Sequence, residues 1–565
     1  MNVHDTGARG FTFRLVSSLE KVFPDQAPPR AGAEPLRAFT GETVSFQLAW
    51  RPPAVRDLSD LPRLRLDVDP GPGARAEVFR VGLLPVLVPA FEDSDEVFLR
   101  KAPGLFPDPL HPTVDGELSS SVLGAWSAWW VDVVVDDPAS PPRRDVTVRV
   151  HAQDGRLLHE EAVALRLHPW TLPPVDITIA QWLHADCLAD HYDAAPFTER
   201  HWRLLEAYLP SLRRAGGNCL LTPVWTPPLD TEVGGRRTTT QLLDVRRDAS
   251  GWTFGFDRLD QWVAMALRQG FDLLEVPHLF TQWGAAATPS IRVDGPDGRR
   301  EAFGWHVPAT DPSYREFLQA LLPRLRAHLA TRWPTVRTVW HVSDEPGHDE
   351  LAGYQAARAV VGDLLREETV IDALSDRSFL TSGAVDVPVV AADAAAPFAA
   401  AGDEFWVYHC NVQDRGVSNR FVAMPSWRTR AIGEQLFAVG ARGFLHWGFN
   451  FWNSRLSRGR VDPWQDASAG HAFPAGDPFL VYPGRDGKPV ESLRHRAFAQ
   501  GVDDHRALQL VRDLTGRDLT ATPGAENRVH ALECAGRRPE DWLRSRPAVD
   551  AVLDEVDAGA SRARS

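Results

Sequence analysis

Downstream of residue 176 the chain repeats one unit: a short apolar run suited to a strand, then a longer stretch with helical recurrence of apolar residues. Alternating β and α elements of this kind build a parallel sheet with helices packed on it. The apolar runs fall at residues 177–183, 218–223, 272–277, 338–342, 369–373, 387–391, 404–409 and 443–448. Eight such strands are what a closed (β/α)8, TIM-type barrel needs. Helices are expected over 199–215, 257–269, 313–331 and 492–515. The first of these stops at Gly216-Gly217, a fitting helix terminus.

Residues 10–168 follow a different grammar. Short β-rich runs at 11–16, 43–50, 63–68, 76–81, 129–135, 146–151 and 162–167 are separated by turn signals such as Asp69-Pro70-Gly71-Pro72-Gly73. Several alternate apolar with polar residues and no long amphipathic helix interrupts them, which predicts an antiparallel β-sandwich. The segment His168-Pro169-Trp170-Thr171-Leu172-Pro173-Pro174 breaks the pattern, because paired prolines favour extended chain. The expected organisation is α/β: an N-terminal β-sandwich over 1–168, a linker over 169–176, the barrel over 177–515, and a C-terminal helical extension and tail over 516–565.

Composition narrows the function. A formal charge of -14 argues against a nucleic-acid or anionic-membrane partner, since both attract basic faces. Cysteines at 187, 219, 410 and 534 are too scattered for a CxxC metal site or a small disulfide framework and read as buried thiols. The first residues lack a basic segment leading into an apolar one, and no apolar run approaches roughly 18 residues, so a cytoplasmic location is expected. Twenty tryptophans stand against six tyrosines and three methionines, many beside His, Asp, Asn or Gln. A pyranose presents an apolar C–H face that stacks on such rings and hydroxyls that need fixed polar partners. Taken singly, most tryptophans are core residues.

Catalytic groups of such barrels lie at the C-terminal ends of the strands. Here those ends hold Trp182, His184 and Asp186; Trp225; His278, Gln282 and Trp283; His341, Asp344 and Glu345; Asp372; Tyr408 and Asn411; and Trp447, Asn450 and Trp452. Asp344 and Glu345 are the strongest pair. Where a strand gives way to a loop, neighbouring side chains diverge, so adjacent carboxyls can address two atoms of one sugar. Repulsion and partial burial would keep a proton on one of them while the other stays ionised. Ser343-Asp344-Glu345-Pro346 equally suits the start of a helix, with a capping oxygen and a proline in the first turn.

At these residues the chain resembles the DUF4091 family, which is related to glycoside hydrolase family 123 and its β-N-acetylgalactosaminidases. The resemblance is carried by residues 103–108, 222–230, 240–242, 278–284, 303–305, 341–346 and 372–376, and by the run 408–484 with Asn419-Arg420-Phe421, Pro463-Trp464 and Pro474-Ala475-Gly476-Asp477. It implies a retaining, exo-acting, substrate-assisted glycosidase in which the sugar's own 2-acetamido oxygen attacks the anomeric carbon. By this analogy Asp344 orients the acetamido group and Glu345 is the acid/base. Trp182, Trp283, Tyr408, Trp447 and Trp452 would supply walls, and His184, His278, His341, Asn411, Arg420, Asn450 and Asp477 hydroxyl partners. Placement at strand ends adds Asp186, Trp225, Gln282 and Asp372.

Alternatives stay open at this stage. A sugar without an acetamido group would need a protein nucleophile, with Asp372 and Glu275 in reserve. A non-catalytic carbohydrate-binding protein would use the same aromatic surfaces. A zinc hydrolase could gather His184, Asp186, His278 and His341, yet no HExxH or similarly spaced set occurs, so neither metal nor other cofactor is expected. The expected partner is an oligosaccharide or glycoconjugate, and a homo-oligomer is left open.

Overall fold

The computed structural model describes residues 10–564 apart from 33, 56, 58–59, 96, 115, 138–139, 297, 521–531 and 533–537. Cys534 and part of the expected C-terminal extension lie outside the described residues; Cys187, Cys219 and Cys410 are buried free thiols.

Two sheets form the N-terminal layers. One has five strands, and the other four include Leu36–Thr40 and Leu157–Thr171. Strand Arg143–Ala152 shows why they stack: Val146, Val148, Val150 and Ala152 are buried while the residues between them are not. This period of two gives each strand one apolar face. Those faces meet around Trp50 and Trp129, whose rings stack 3.7 Å apart. Pairing is antiparallel except that Leu36–Thr40 runs parallel to Leu157–Thr171, which continues through Thr171 into the segment expected as linker. The strand Gly104–Pro112 was not expected from sequence. It carries Pro107, Pro109 and Pro112, and it lies at a sheet edge, where prolines cost the fewest ladder bonds.

Eight parallel strands then close a barrel in chain order: Thr178–Gln181, Cys219–Leu221, Leu273–Val276, Arg337–Trp340, Thr369–Ala373, Val387–Ala391, Trp406–Tyr408 and Gly443–His446. The last pairs with the first from Thr178↔Gly443 onward. Four of these strands are buried at every residue, as expected when helices cover one face and the barrel interior the other. Gly443 is dictated by packing, since a Cβ there would meet the Trp406 indole at 2.4 Å.

Helices Glu199–Arg214, Asp257–Arg268, Pro312–Arg332 and Leu493–Thr515 fall where the apolar recurrence places them. Asp311 caps the third of these through Ser313 N, and Ser492 caps the last through His495 N. Unforeseen is a four-stranded sheet made by insertions after the second and third barrel strands, Asp244–Asp248 with Gly251–Gly255 and Ile291–Gly295 with Gly298–Phe303. Its strands are rich in Arg and Asp, which hides them from a reading based on apolar runs.

The sheets are fastened to the barrel by buried charge. Arg494 pairs with Asp108 at 2.9 Å with both side chains fully buried, and Tyr482 Oη donates to the same carboxylate at 2.5 Å. Arg496 pairs with Asp132 at 3.0 Å. The helix Ser545–Arg564 packs on Leu493–Thr515 and reaches back to the sheets through Asp550 to His168 and Asp554 to Arg166. Among the described residues no helix is long and apolar enough to cross a membrane.

Candidate active site

A cavity of about 340 Å³ opens at the C-terminal end of the barrel. That is the end where the strand carboxyl termini and their loops converge, and the size suits a small ligand. Trp182, Trp283, Tyr408, Trp447 and Phe473 give it aromatic walls. Four carboxylates face it, from Asp230, Asp344, Glu345 and Asp477, with Gln282, Asn411 and Arg455 among the other polar groups.

The segment carrying Asp344 and Glu345 continues past the fourth strand as a tethered, extended piece. Leu279 N and Phe280 N donate to His341 O and Val342 O, Trp283 N donates to Asp344 O at 2.8 Å, and Glu345 N donates to Ala373 O at 3.0 Å. Ser343 Oγ donates to Thr281 O at 2.8 Å rather than capping a helix. The next α-helix begins only at Leu351, so the helix-start reading of Ser343 to Pro346 is not what the chain adopts. Glu345 sits at φ +45°, a left-handed conformation costly for a side-chain-bearing residue. Asp230 and Trp283, also on the cavity, share it at +40° and +54°.

Burial and the neighbouring Glu345 push the Asp344 carboxyl well above the usual range, with the positive His341 opposing. Burial likewise raises Glu345, against a hydrogen bond from the Tyr408 hydroxyl. The pair therefore holds a proton far more readily than free carboxylates do. Burial also raises Asp230 to about 6 and Asp477 to about 7; Leu456 N–H restrains the former and Arg420 the latter.

Beneath the floor lies a second polar layer. His341 donates from Nε2 to Glu275 Oε1 at 2.7 Å and from Nδ1 to Asp372 Oδ1 at 3.1 Å. Burial alone would lower its pKa, but the two carboxylates outweigh burial and raise it to about 9. Asp372 also accepts from Val342 N, Ser343 N and the Tyr354 hydroxyl, so it shapes the segment leading to Asp344. Trp182 Nε1 donates to Glu275 Oε1 at 2.7 Å.

Of the residues singled out from sequence, Trp182, Gln282, Trp283, Asp344, Glu345, Tyr408, Asn411, Trp447 and Asp477 line the cavity. The others do not. Asp186 is gripped by Arg237 through two 2.7 Å bonds, and His184 spans Arg237 Nη2 and Trp447 O. Asn450 pairs with the backbone of His184, stapling the first and last strand ends together. Trp225 donates to His278 O and Trp452 to Val481 O; both indoles are core. Arg420 is fully buried and bonds Gln181 and the Gly448 and Asp477 carbonyls. His278, His341 and Asp372 belong to the layer below. The side chains of these residues turn sideways or inward, away from the cavity, and all but His278 find hydrogen-bond partners there.

The reserve nucleophiles fare similarly: Glu275 and Asp372 are fully buried and bonded beneath the floor. Asp230, Arg455 and Phe473 on the cavity, and Arg237 behind it, were not singled out; they come from long loops with no repeating pattern. Among the described residues one trio, His278, His341 and Asp372, brings ligand atoms within 4.8 Å of each other. It does not fit a metal, because His341 spends both ring nitrogens on carboxylates and keeps no lone pair. The zinc set weighed from sequence is not assembled, since His184 and Asp186 are held by Arg237.

The family model for the glycoside hydrolase 123 catalytic domain matches residues 182–511, more than half of the chain. None of the curated proteins matches the sequence. Among solved structures, a family 123 glycoside hydrolase from Clostridium perfringens, studied for glycolipid glycan hydrolysis, superposes with a TM-score of 0.71 at 13% identity, covering 98% of this chain and 99% of the other. An endo-beta-1,4-mannanase from Thermotoga petrophila gives 0.32 at 12% identity, covering 61% and 78%. A beta-glucuronidase from Parabacteroides merdae gives 0.31 at 9%, covering 81% and 50%.

Proposed function

This chain belongs to glycoside hydrolase family 123, and from that premise we propose that it is a retaining, exo-acting β-N-acetylhexosaminidase of the N-acetyl-β-galactosaminidase type that uses substrate-assisted catalysis. As a glycoside hydrolase it acts on a carbohydrate. The finer reading is supported above all by one observation: Asp344 and Glu345 lie side by side on a cavity walled by aromatic rings, while the alternative nucleophiles Glu275 and Asp372 are turned away from it.

In this reading the terminal sugar enters the cavity with its apolar face against the indoles. Its 2-acetamido oxygen attacks the anomeric carbon as the C–O bond to the aglycone breaks. Glu345 gives its proton to the departing oxygen. Asp344, ionised at that moment, accepts a hydrogen bond from the acetamido N–H as positive charge spreads over the forming ring. Water then attacks the anomeric carbon from the face the aglycone left, giving its proton to Glu345 and returning the acetamide. Two displacements leave the configuration retained. The repulsion between the two acids favours the state with one proton between them, which this sequence of steps requires. A compact pocket suits removal of a terminal residue, and the glycolipid glycans linked with the Clostridium perfringens relative suggest a glycoconjugate substrate.

The test is a panel of aryl glycosides, with the first-formed product anomer read by NMR. Hydrolysis confined to β-N-acetylhexosaminides with a β product is the expected result. Turnover of sugars lacking the acetamido group at comparable rates, or an α product, would remove the substrate-assisted reading.

A further inference from the structure

His278, on the loop leaving the third barrel strand, is fully buried, yet neither of its ring nitrogens has a hydrogen-bond partner. An orphaned buried imidazole of this kind calls for an explanation. Its surroundings narrow the choice. The ring stacks on His341 at 4.2 Å, the edge of Trp182 stands 5.5 Å away, and Nε2 lies 3.9 Å from Asp344 Oδ1. Since His341 is protonated between Glu275 and Asp372, burial and that adjacent cation keep His278 neutral. A neutral imidazole carries one N–H, and the nitrogen that faces a carboxylate is the one that gains by holding it.

We propose that His278 is a positioning residue: its Nε2–H closes the 3.9 Å gap onto Asp344 as charge develops on the bound sugar, and holds that carboxylate against the acetamido N–H. The proposal rests on the role given to Asp344 above.

The gap is too long for a hydrogen bond in the resting protein, so the interaction is withheld from the ground state. Bonds formed only as charge develops raise kcat rather than tighten substrate binding. The groups facing Asp344 make the need plain. Glu345 from its own segment, Asp372 from the fifth strand and Asp230 from the loop after the second all oppose its ionisation, whereas His341 from the fourth favours it. His341 is committed to Glu275 and Asp372, so it supplies charge from one layer down. Direction has to come from the nearer ring, His278.

The experiment compares His278→Phe and His278→Gln with wild type on an aryl N-acetyl-β-hexosaminide, following kcat, KM and the pH profile. His278→Phe removes the donor and should lower kcat about 10- to 100-fold, the range of a hydrogen bond to a charged group. KM should stay within about twofold, and the acidic limb of the kcat profile should move to higher pH, because an unsupported Asp344 ionises less readily. His278→Gln, which restores an N–H, should recover most of kcat. Should the Phe variant not fold, His278→Leu carries the same comparison. A Phe or Leu variant with wild-type kcat and an unmoved acidic limb, or a Gln variant as impaired as either, would overturn the proposal. A wild type inactive on every N-acetylhexosaminide would instead take the parent reading down, and this one with it.

Discussion

Trp182 hangs from Glu275: the indole Nε1 donates to Glu275 Oε1 at 2.7 Å, so a wall of the cavity is fixed by a carboxylate that never reaches it. The same oxygen accepts from His341 Nε2, which ties the wall to the charged layer under Asp344. Glu275→Ala is expected to destabilise the fold by about 3–5 kcal/mol, because it strands a buried imidazolium and a buried indole N–H together. Urea unfolding at neutral pH checks this, and Glu275→Gln should lose clearly less. Equal losses would mean that the charge on Glu275 does not matter.

His341 makes stability depend on pH in the alkaline range. Its folded pKa of about 9 lies above the ordinary imidazole value of 6.5, so its contribution is complete below pH 6.5 and disappears as pH rises through 9. The full change is about 3 kcal/mol for so large a shift of a buried group. Denaturant midpoints from pH 6 to 10 should fall across that window, and His341→Asn should flatten the fall.

Asp230 and Asp477 act in the opposite direction at neutral pH. Their folded pKa values, about 6 and about 7, exceed the ordinary aspartate value of 3.8. Each therefore favours folding below pH 3.8 and progressively loses that contribution as pH climbs through its folded value. Asp230→Asn should stabilise the protein at pH 8 by on the order of 1–2 kcal/mol while impairing turnover. Thermal midpoints at pH 8 measure the first effect and aryl-glycoside rates the second.

Much of this was legible in the sequence, and the reasons are specific. The eight barrel strands announce themselves because burial on both faces keeps most of their residues apolar, as in Val387–Ala391. The inserted sheet did not, since strands such as Asp244–Asp248 expose most of their residues and carry Arg246 and Arg247. At the site, position was readable and direction was not. His278, His341 and Asp372 follow the strand pattern, but only the packed barrel shows that they point into the layer below the cavity. Asp230 and Phe473 reach the cavity from loops whose path is set by tertiary contacts such as Leu456 N to Asp230 Oδ2 at 2.9 Å.

Arg237 illustrates a support that spacing could not reveal. With 2% of its side chain exposed, it holds Asp186 and orients His184, which in turn bonds Trp447 O at the cavity wall. Arg237→Lys is expected to cost nearly as much stability as Arg237→Ala, because an ammonium cannot reproduce the two parallel bonds while also serving His184. Chemical unfolding of the two variants side by side decides the point. Full retention of stability by the lysine variant would contradict it.

A thiazoline analogue of an N-acetylhexosamine mimics the cyclised intermediate and should inhibit well below the concentration at which the parent sugar does. Inhibition no better than that sugar's would favour a protein nucleophile, with Asp230 and Asp477 as the carboxylates that face the cavity.

The most direct measurement is the turnover of Asp344→Asn and Glu345→Gln beside wild type on an aryl N-acetyl-β-D-galactosaminide, with folding checked by circular dichroism. The account predicts that each variant keeps its fold and loses about 10²- to 10⁴-fold in kcat. Rates indistinguishable from wild type in either variant would contradict it.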